Sequence, residues 1–502
     1  MKKLARKSVA KNYIYNLCYQ ILIVVLPIIT TPYISRVLGA ENIGIYSYTY
    51  SIVSYFILFG SLGVALYGKR EIAYLQENVK ERTKVFWEIL FFRLITIFIA
   101  TIAYIIFFMN FQLEYKVFYA IMILEVLAAG LDISWFLQGL EEFKKTVTRN
   151  IIVRLLSVTA IFIFVKTEQD LVTYTLIYSL GNFLGNVMLW GYLPKFLKGA
   201  KVDFKTLNIV KHIAPIMMLF IPQITEKIYN MLDKTMIGYL VEDKSEVGFY
   251  EQAQKTIRIL NTVVASLGIV MVPRMATIFE SEGKEKVQET LKKSFRFVFF
   301  IAVPLTLGII SVVSSFVPMF YGPGYDKVKI LIVVMSPAIL LMGIENVIGT
   351  HYLIPTKQQN KYTKSVTCGL VVNFVLNYFL IMKWQAIGAS IATILSQLVV
   401  DSIQLASVRK EMNLKEMFKP LFKYLLVGIL MFVCCNIIGY VIDEYVFIKE
   451  YFIEMSEYIR YSIKLLVQVV VGAAVYFTLL IMSKDELIMP VLARVKKRFV
   501  KG

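Results

Sequence analysis

The stretch Tyr13–Val37, YIYNLCYQILIVVLPIITTPYISRV, decides the fold. It carries no charge until Arg36, and its apolar residues follow one another without period-two alternation. A run of about 18–25 such residues matches the roughly 30 Å hydrocarbon core of a bilayer. Lipid offers nothing to satisfy stray N–H and C=O groups, so the segment must be a helix closed on its own hydrogen bonds. Unbroken Leu, Ile, Val and Phe argue against a β-barrel, which alternates lipid-facing and lumen-facing residues. Lys2, Lys3, Arg6, Lys7 and Lys11 precede the run, as in a signal peptide. The run is longer than an h-region of about 7–15 residues, so a retained first helix is expected.

Similar runs recur almost to the end of the 502 residues, of which 58% are hydrophobic and 18% charged. The pattern predicts spans near 12–37, 43–67, 85–110, 116–139, 147–166, 170–193, 210–240, 246–272, 293–320, 328–353, 363–382, 385–407, 419–441 and 460–483. The net charge of +19 could suggest nucleic acid, but its placement speaks for a membrane. With the N-terminus inside, the basic segments 69–84, 144–149, 195–211, 274–293, 357–364, 409–423 and 484–501 all fall on one side. Together with the N-terminal segment they hold roughly 37 Lys and Arg, against about seven in the opposite loops, a strong positive-inside bias. Both termini are therefore expected in the cytoplasm, with the excess charge meeting anionic headgroups. The outer loops are short, and only Asp443–Tyr458 is longer. Cys18, Cys368, Cys434 and Cys435 sit in apolar segments without metal-ligand spacing and read as apolar fillers.

The chain also repeats itself. Ser61-Leu62-Gly63 returns as Ser266-Leu267-Gly268, Gly44-Ile45-Tyr46 as Gly248-Phe249-Tyr250, and Arg93 as Arg296, in order and at a near-constant offset. A unit of six helices brings the chain back to its starting side, so two units would be related by an axis along the membrane normal. The expected architecture is an all-α polytopic membrane protein of about fourteen transmembrane helices. Two six-helix lobes (1–205 and 206–410) would stand in pseudo-two-fold arrangement around a central cavity, with two further helices and a basic tail in 411–502.

Ionisable residues at membrane depth carry the functional signal. A lone Lys or Arg at a helix centre costs about 2.5–3.5 kcal/mol, so it faces a cavity or a partner. Lys227 and Lys234 on the seventh helix and Lys255 and Arg258 on the eighth are the central candidates, with Arg36 at the outer end of the first. Gln20, Gln223 and Gln252 lie at similar depth. Arg93, Arg154 and Arg296 are secondary; they, like Arg36, can snorkel to a headgroup. The competing explanation for Lys227 and Arg258 is internal pairing with Glu226, Asp233 or Glu251. The first two helices carry no acid between Lys11 and Arg36 or between Gly44 and Arg70, so a cavity lined by all four helices would be net cationic. Pro27 and Pro32, matched by Pro215 and Pro222, bend the paired helices and suit a rocking motion.

Such a cavity answers a specific problem. An unpaired phosphate in hydrocarbon faces a Born penalty of tens of kcal/mol. Arg can replace its water bidentately and Lys as a point charge. The stretch Arg36-Val37-Leu38-Gly39-Ala40-Glu41-Asn42-Ile43-Gly44-Ile45-Tyr46, then Ser54-Tyr55-Phe56 and Tyr67-Gly68-Lys69-Arg70-Glu71-Ile72-Ala73, closely resembles the Wzx-type O-antigen and capsular polysaccharide flippases. Asp132-Ile133-Ser134-Trp135-Phe136-Leu137-Gln138-Gly139-Leu140-Glu141 is similar to the same family. The resemblance implies two six-helix bundles around a V-shaped cavity lined by helices 1, 2, 7 and 8. It also implies undecaprenyl-pyrophosphate-linked oligosaccharide repeat units as substrate, flipped from the inner to the outer leaflet of a bacterial plasma membrane.

The partners expected are thus the lipid-linked oligosaccharide and membrane lipids, with no nucleic acid and no cofactor. Coupling to an ion gradient or the membrane potential stays open, as does pairing with polysaccharide polymerase machinery. A lipid II flippase shares the substrate chemistry. A cation or drug antiporter would want acids in its cavity, which the first two helices lack. A membrane polymerase needs a catalytic outer loop or acid/base pair, and the short outer loops leave no room for one. His212 and His351 read as interfacial residues, so no enzyme is expected. Whether Glu125, Asp132, Glu345 and Asp401 bind an ion or balance charge is not decided by sequence.

Overall fold

A computed structural model describes residues 9–111, 114–199, 202–266, 268–281, 283–446, 456–490 and 492–493. Among them there is no strand, and nine helical stretches are long and apolar enough to cross a membrane. Two of the nine, Val25–Tyr74 and Gln359–Val408, contain 50 residues each. A straight helix of that length would be ~75 Å long, more than twice the hydrocarbon thickness. Each folds back instead. The first helix, Val9–Ser61, breaks at Gly39 (φ 75°, ψ 172°) into α1 (9–38) and α2 (40–61). Gln359–Val408 breaks at Gln385 (φ 51°, ψ −130°) into α11 (359–384) and α12 (386–408). That second turn is tight enough to need Gly388, since a Cβ there would lie 2.0 Å from the Leu380 carbonyl oxygen.

The other spans are α3 (Val79–Phe111), α4 (Lys116–Leu131), α5 (Phe143–Phe164), α6 (Leu171–Trp190), α7 (Ile213–Leu240), α8 (Ser245–Ala265), α9 (Gly283–Tyr321), α10 (Asp326–Leu353), α13 (Leu414–Val441) and α14 (Glu457–Met482). These are the fourteen segments that the hydropathy pattern predicts, in the same order. Helices α6, α7 and α8 are long enough to span but are not among the nine. Phe98, Ile99, Leu156, Phe379, Leu426 and Leu466 stand more than half exposed along the spans. So much exposed apolar surface on helices of this length is a lipid-facing surface.

The chain forms two compact units, residues 1–248 and 249–502. In the first, Gly60 lets α2 close on Ile97 and Ala100 of α3, and Thr96 Oγ1 donates to the Gly60 carbonyl at 2.6 Å. Helix α7 belongs to this unit: Gly238 presses on the Tyr48 ring, and Thr235 and Ser51 share a 2.9 Å hydrogen bond. In the second unit α13 and α14 pack directly on α9. Gly428 meets Val303 and Leu307, Tyr476 OH donates to the Phe300 carbonyl at 2.8 Å, and Gln468 donates to the Cys435 carbonyl at 3.0 Å. Small residues at these crossings let backbones approach where no hydrophobic force separates helix from lipid.

The repeat noticed in the sequence has a physical counterpart at the start of α2 and α8. A Cβ on Gly44 would lie 1.7 Å from the Lys244 carbonyl oxygen, and one on Gly248 would lie 1.9 Å from that of Ala40. Each glycine faces the carbonyl four residues before the other, so the contact is reciprocal.

Candidate functional site

The cations expected at membrane depth fall into distinct environments. On α7, Lys227 is exposed and has no ion-pair partner among the described residues, while Lys234 is half-buried. Gln223, one turn before Lys227, donates to the Leu219 carbonyl at 2.7 Å. Its amide sits against Gly63 at the end of α2, where a Cβ would be 3.2 Å from Nε2. Arg36 is exposed at the end of α1, and its guanidinium folds back to the Pro32 carbonyl at 3.2 Å. The side chain of Gln20 lies outside the described residues.

On α8 in the second unit, Lys255 pairs with Glu251 one turn earlier at 3.3 Å. Glu251 thus answers Lys255 within its own helix. Arg258 is exposed, and its Nη2 reaches Gln254 Oε1 at 3.4 Å. Gln252 is buried, and its main-chain carbonyl accepts from Tyr321 OH at 2.9 Å.

The secondary candidates part company. Arg93 does not snorkel: it is 3% exposed, donates from Nε to the Ala129 carbonyl at 2.8 Å and lies 3.8 Å from Asp132. Arg149 is 4.0 Å from the same carboxylate, so Asp132 balances charge. Arg296 pairs with Glu486 beyond the end of α14. Arg154 is exposed on α5. Glu125 accepts both contacts of the Asn182 amide, at 2.9 and 3.1 Å.

The histidines differ from their expected interfacial role, because both are buried inside protein. His212 Nδ1 meets Tyr67 OH at 2.7 Å and its Nε2 meets Glu88 Oε2 at 2.9 Å. Lys211 adds a 2.6 Å ion pair to that carboxylate, and the Asn208 main-chain N–H donates to Glu88 Oε1 at 2.8 Å. The segment leading into α7 is thereby pinned to α3 and to the helix Val64–Tyr74. Sequence reading missed this network because Glu88 and His212 lie more than a hundred residues apart. His351 has neither ring nitrogen hydrogen-bonded among the described residues and packs on Gly268.

Beyond the spans, two carboxylates tie the basic ends of helices together. Burial pushes the Glu411 carboxyl up, but hydrogen bonds from Lys361, Tyr352 and Gln358 and the Lys361 charge hold it below the usual carboxylate range. Asp485 behaves alike: burial raises it, and Lys423, the Leu487 N–H and Tyr424 together bring it below its ordinary value.

Comparison with known proteins gives this architecture a family. The model of the family described as "Polysaccharide biosynthesis protein" matches residues 9–279, more than half of the chain. The chain belongs to that family. A second model, "Lipid II flippase MurJ", matches residues 259–463. A protein of Escherichia coli strain K12 named "Putative O-antigen transporter" is 25% identical over 409 residues, covering 80% of this chain and 97% of its own. A solved structure of the lipid II flippase MurJ in an inward closed conformation superposes with a TM-score of 0.73 at 15% identity, over 95% of this chain and 100% of that one. An inward-facing transporter of the multidrug MATE family superposes at 0.56 and 10% identity, over 77% of this chain and 97% of its own. The fold is therefore that of a polytopic membrane flippase. Several curated relatives are named as transporters or flippases, as the sequence reading expects of a protein that is not an enzyme.

The motifs that carry the family resemblance prove to be packing contacts. Gly68 lies flat against Trp135, where a Cβ would be 2.4 Å from the ring, and Gly139 lies against Ile72 and the Lys69 carbonyl. Gln76 donates to the Gly139 carbonyl at 2.8 Å. The stretches 67–73 and 132–141 thus form one joint. The motif 36–46 supplies the Gly39 turn and the Gly44 contact, with Asn42 donating to the Glu168 carbonyl at 2.9 Å.

Proposed function

We propose that this protein flips undecaprenyl-pyrophosphate-linked oligosaccharide repeat units from the inner to the outer leaflet of the bacterial plasma membrane, for cell-surface polysaccharide assembly. The observation that carries the reading is Lys227, an exposed cation on a transmembrane helix with no ion-pair partner among the described residues. A cation in that position costs free energy unless an anion visits it. A diphosphate is the anion that a lipid-linked sugar presents, and the names of the relatives supply the sugar class. Arg258, Lys234 and Arg36, with Gln20, Gln223 and Gln252, complete the proposed substrate set. Lys255 contributes with its charge shared by Glu251.

In this reading two lobes with cytoplasmic termini alternate access to a cationic cavity. Lys227 and Arg258 take over the phosphate solvation that hydrocarbon removes. Expelling a group of charge about −2 from a negative interior gains about 4–5 kcal/mol per 100 mV, so the membrane potential favours outward movement. Rates in vesicles that ignore an imposed potential would sink this part.

The test is exposure of a lipid-pyrophosphate oligosaccharide on the far leaflet of liposomes, wild type against Lys227→Ala and Arg258→Ala. Transport lost in folded variants supports the diphosphate site, and transport intact in both removes these residues from it. The match of residues 259–463 to the lipid II flippase model favours lipid II as the second substrate to try. Flux of lipid II without flux of O-antigen or capsular precursors would reassign the substrate.

A further inference from the structure

Helices α10, α11 and α12 of the second unit enclose a polar network that the proposed anion pathway does not use. Gln397 on α12 donates its amide to Glu345 Oε2 on α10 at 2.9 Å and to Asp401 Oδ1, one turn further along α12, at 3.2 Å. Tyr362 OH on α11 stands 3.4 Å from Glu345 Oε1. Gln404 gives its amide to Ser365 Oγ on α11 at 3.1 Å. Gln397, Asp401 and Gln404 are all at least 97% buried. Two of their acceptors, Asp401 Oδ2 and Gln404 Oε1, are buried and receive no hydrogen bond among the described residues. Asp401 and Gln404 are three apart on one helix and so neighbours on its surface.

The network is short of donors. A buried carboxylate is costly unless paired, and two carboxylates that share one site do not both ionise. No ion pair to Asp401 occurs among the described residues. The ionisable groups on the helices packed against it are otherwise placed. Lys361 is bound to Glu411 at 2.8 Å and to the Ser407 carbonyl at 3.3 Å, and Lys364 is exposed. His351, further along α10, is bonded to neither acid. A proton on Asp401 supplies the missing donor and leaves one negative charge for Glu345 and Gln397 to share. A metal cation fits less well, because the amide hydrogens of Gln397 already fill the position between the carboxylates.

We propose that Glu345, Gln397 and Asp401 form a proton-binding site, in which the two carboxyl groups carry one proton between them, seated on Asp401. Release breaks the carboxyl O–H bond, passes the proton to water, and leaves two like charges that push α10 from α12. The site stands independently of the transported substrate; its use in driving transport rests on the flippase reading above.

Infrared difference spectroscopy of the full-length protein in lipid tests it, comparing wild type with Glu345→Gln, Asp401→Asn and the double variant. At neutral pH the wild type should show the C=O stretch of a protonated, deuterium-sensitive carboxylic acid that the double variant loses. Each near-isosteric single variant should shift or remove that band, which keeps the test alive if the double variant does not fold. Equal protonated carboxyl content in wild type and variants overturns the proposal. So does a wild-type band that sodium ions abolish, since the pair would then be a metal-cation site. In liposomes, a pH gradient should stimulate wild-type flux and leave Asp401→Asn unaffected. Stimulation of both alike refutes the coupling, whereas no flux with any lipid-linked sugar fails the flippase reading and leaves the proton site to stand or fall on the infrared band.

Discussion

Alanine at Gly44 would put a methyl carbon 1.7 Å from the Lys244 carbonyl oxygen and 3.0 Å from the Gly248 main-chain nitrogen. Ordinary carbon–oxygen contacts lie at about 3.3–3.6 Å, so α2 and the start of α8 must part by roughly 1.6–1.9 Å. Neither partner is a side chain that can rotate away, because both sides of the contact are backbone. Overpacking a well-packed core costs typically 1–3 kcal/mol, and a rigid backbone contact belongs at the upper end of that range. Gly248→Ala should behave alike, since its Cβ would lie 1.9 Å from the Ala40 carbonyl oxygen.

The reciprocity makes the prediction sharper. Once the first alanine has separated the helices, the second meets space already opened, so the double variant should cost clearly less than the sum of the singles. Thermal unfolding of the purified protein in detergent reads all three, with Gly308→Ala as control. That position lies in α9, and its added Cβ would only touch Met431 at 3.8 Å. The singles should melt well below the control. If Gly44→Ala and Gly248→Ala both melt with Gly308→Ala, the close approach of Gly44 to residues 244–248 is not part of the native protein.

Three other outcomes can be checked on the same material. Gly39→Ala should cost about 1–3 kcal/mol from backbone strain alone, because φ there is 75° while the nearest atom to the new methyl, Glu168 Oε1, is 3.8 Å away; a melting point equal to wild type would mean that the α1–α2 turn can be built another way. Tyr67→Phe should cost roughly 1–3 kcal/mol by leaving His212 Nδ1 buried without its partner, and His212→Ala added to it should cost less than on its own; strict additivity in denaturant unfolding would contradict the Tyr67–His212–Glu88 chain. Glu411, lowered in the folded protein, contributes stability that is fully present above the ordinary carboxylate range and is lost as pH falls through its lowered value. Lys361→Met should therefore flatten the acid side of the stability–pH profile, and an unchanged profile would show that the cluster contributes nothing.

How much of this was legible in the sequence depends on the range of the interaction. The fourteen helices were legible because hydropathy is local: a run either is or is not long enough to span, and Gly39 announces its own turn. Gln385 gave no such notice, as a glutamine at positive φ is held by tertiary context, with Lys327 Nζ donating to its side-chain oxygen at 2.9 Å. The Lys255–Glu251 pair was legible at one-turn spacing, whereas Arg296–Glu486 joins residues 190 apart. The same distinction governs the buried acids. Gln397, Asp401 and Gln404 recur at i, i+4 and i+7, so sequence alone places three polar groups on one face of α12. What it cannot place is Glu345 of α10 against that face, and a carboxylate facing a single amide differs from one facing another carboxylate. The intramembrane charges therefore divide by the reach of their partners. Those answered within a helix turn or by a fixed neighbour, as Lys255, Arg93 and Arg296 are, hold the fold. Lys227 and Asp401, answered by no fixed countercharge among the described residues, are where the two proposals place an exchangeable partner: a passing anion for the first and a proton for the second.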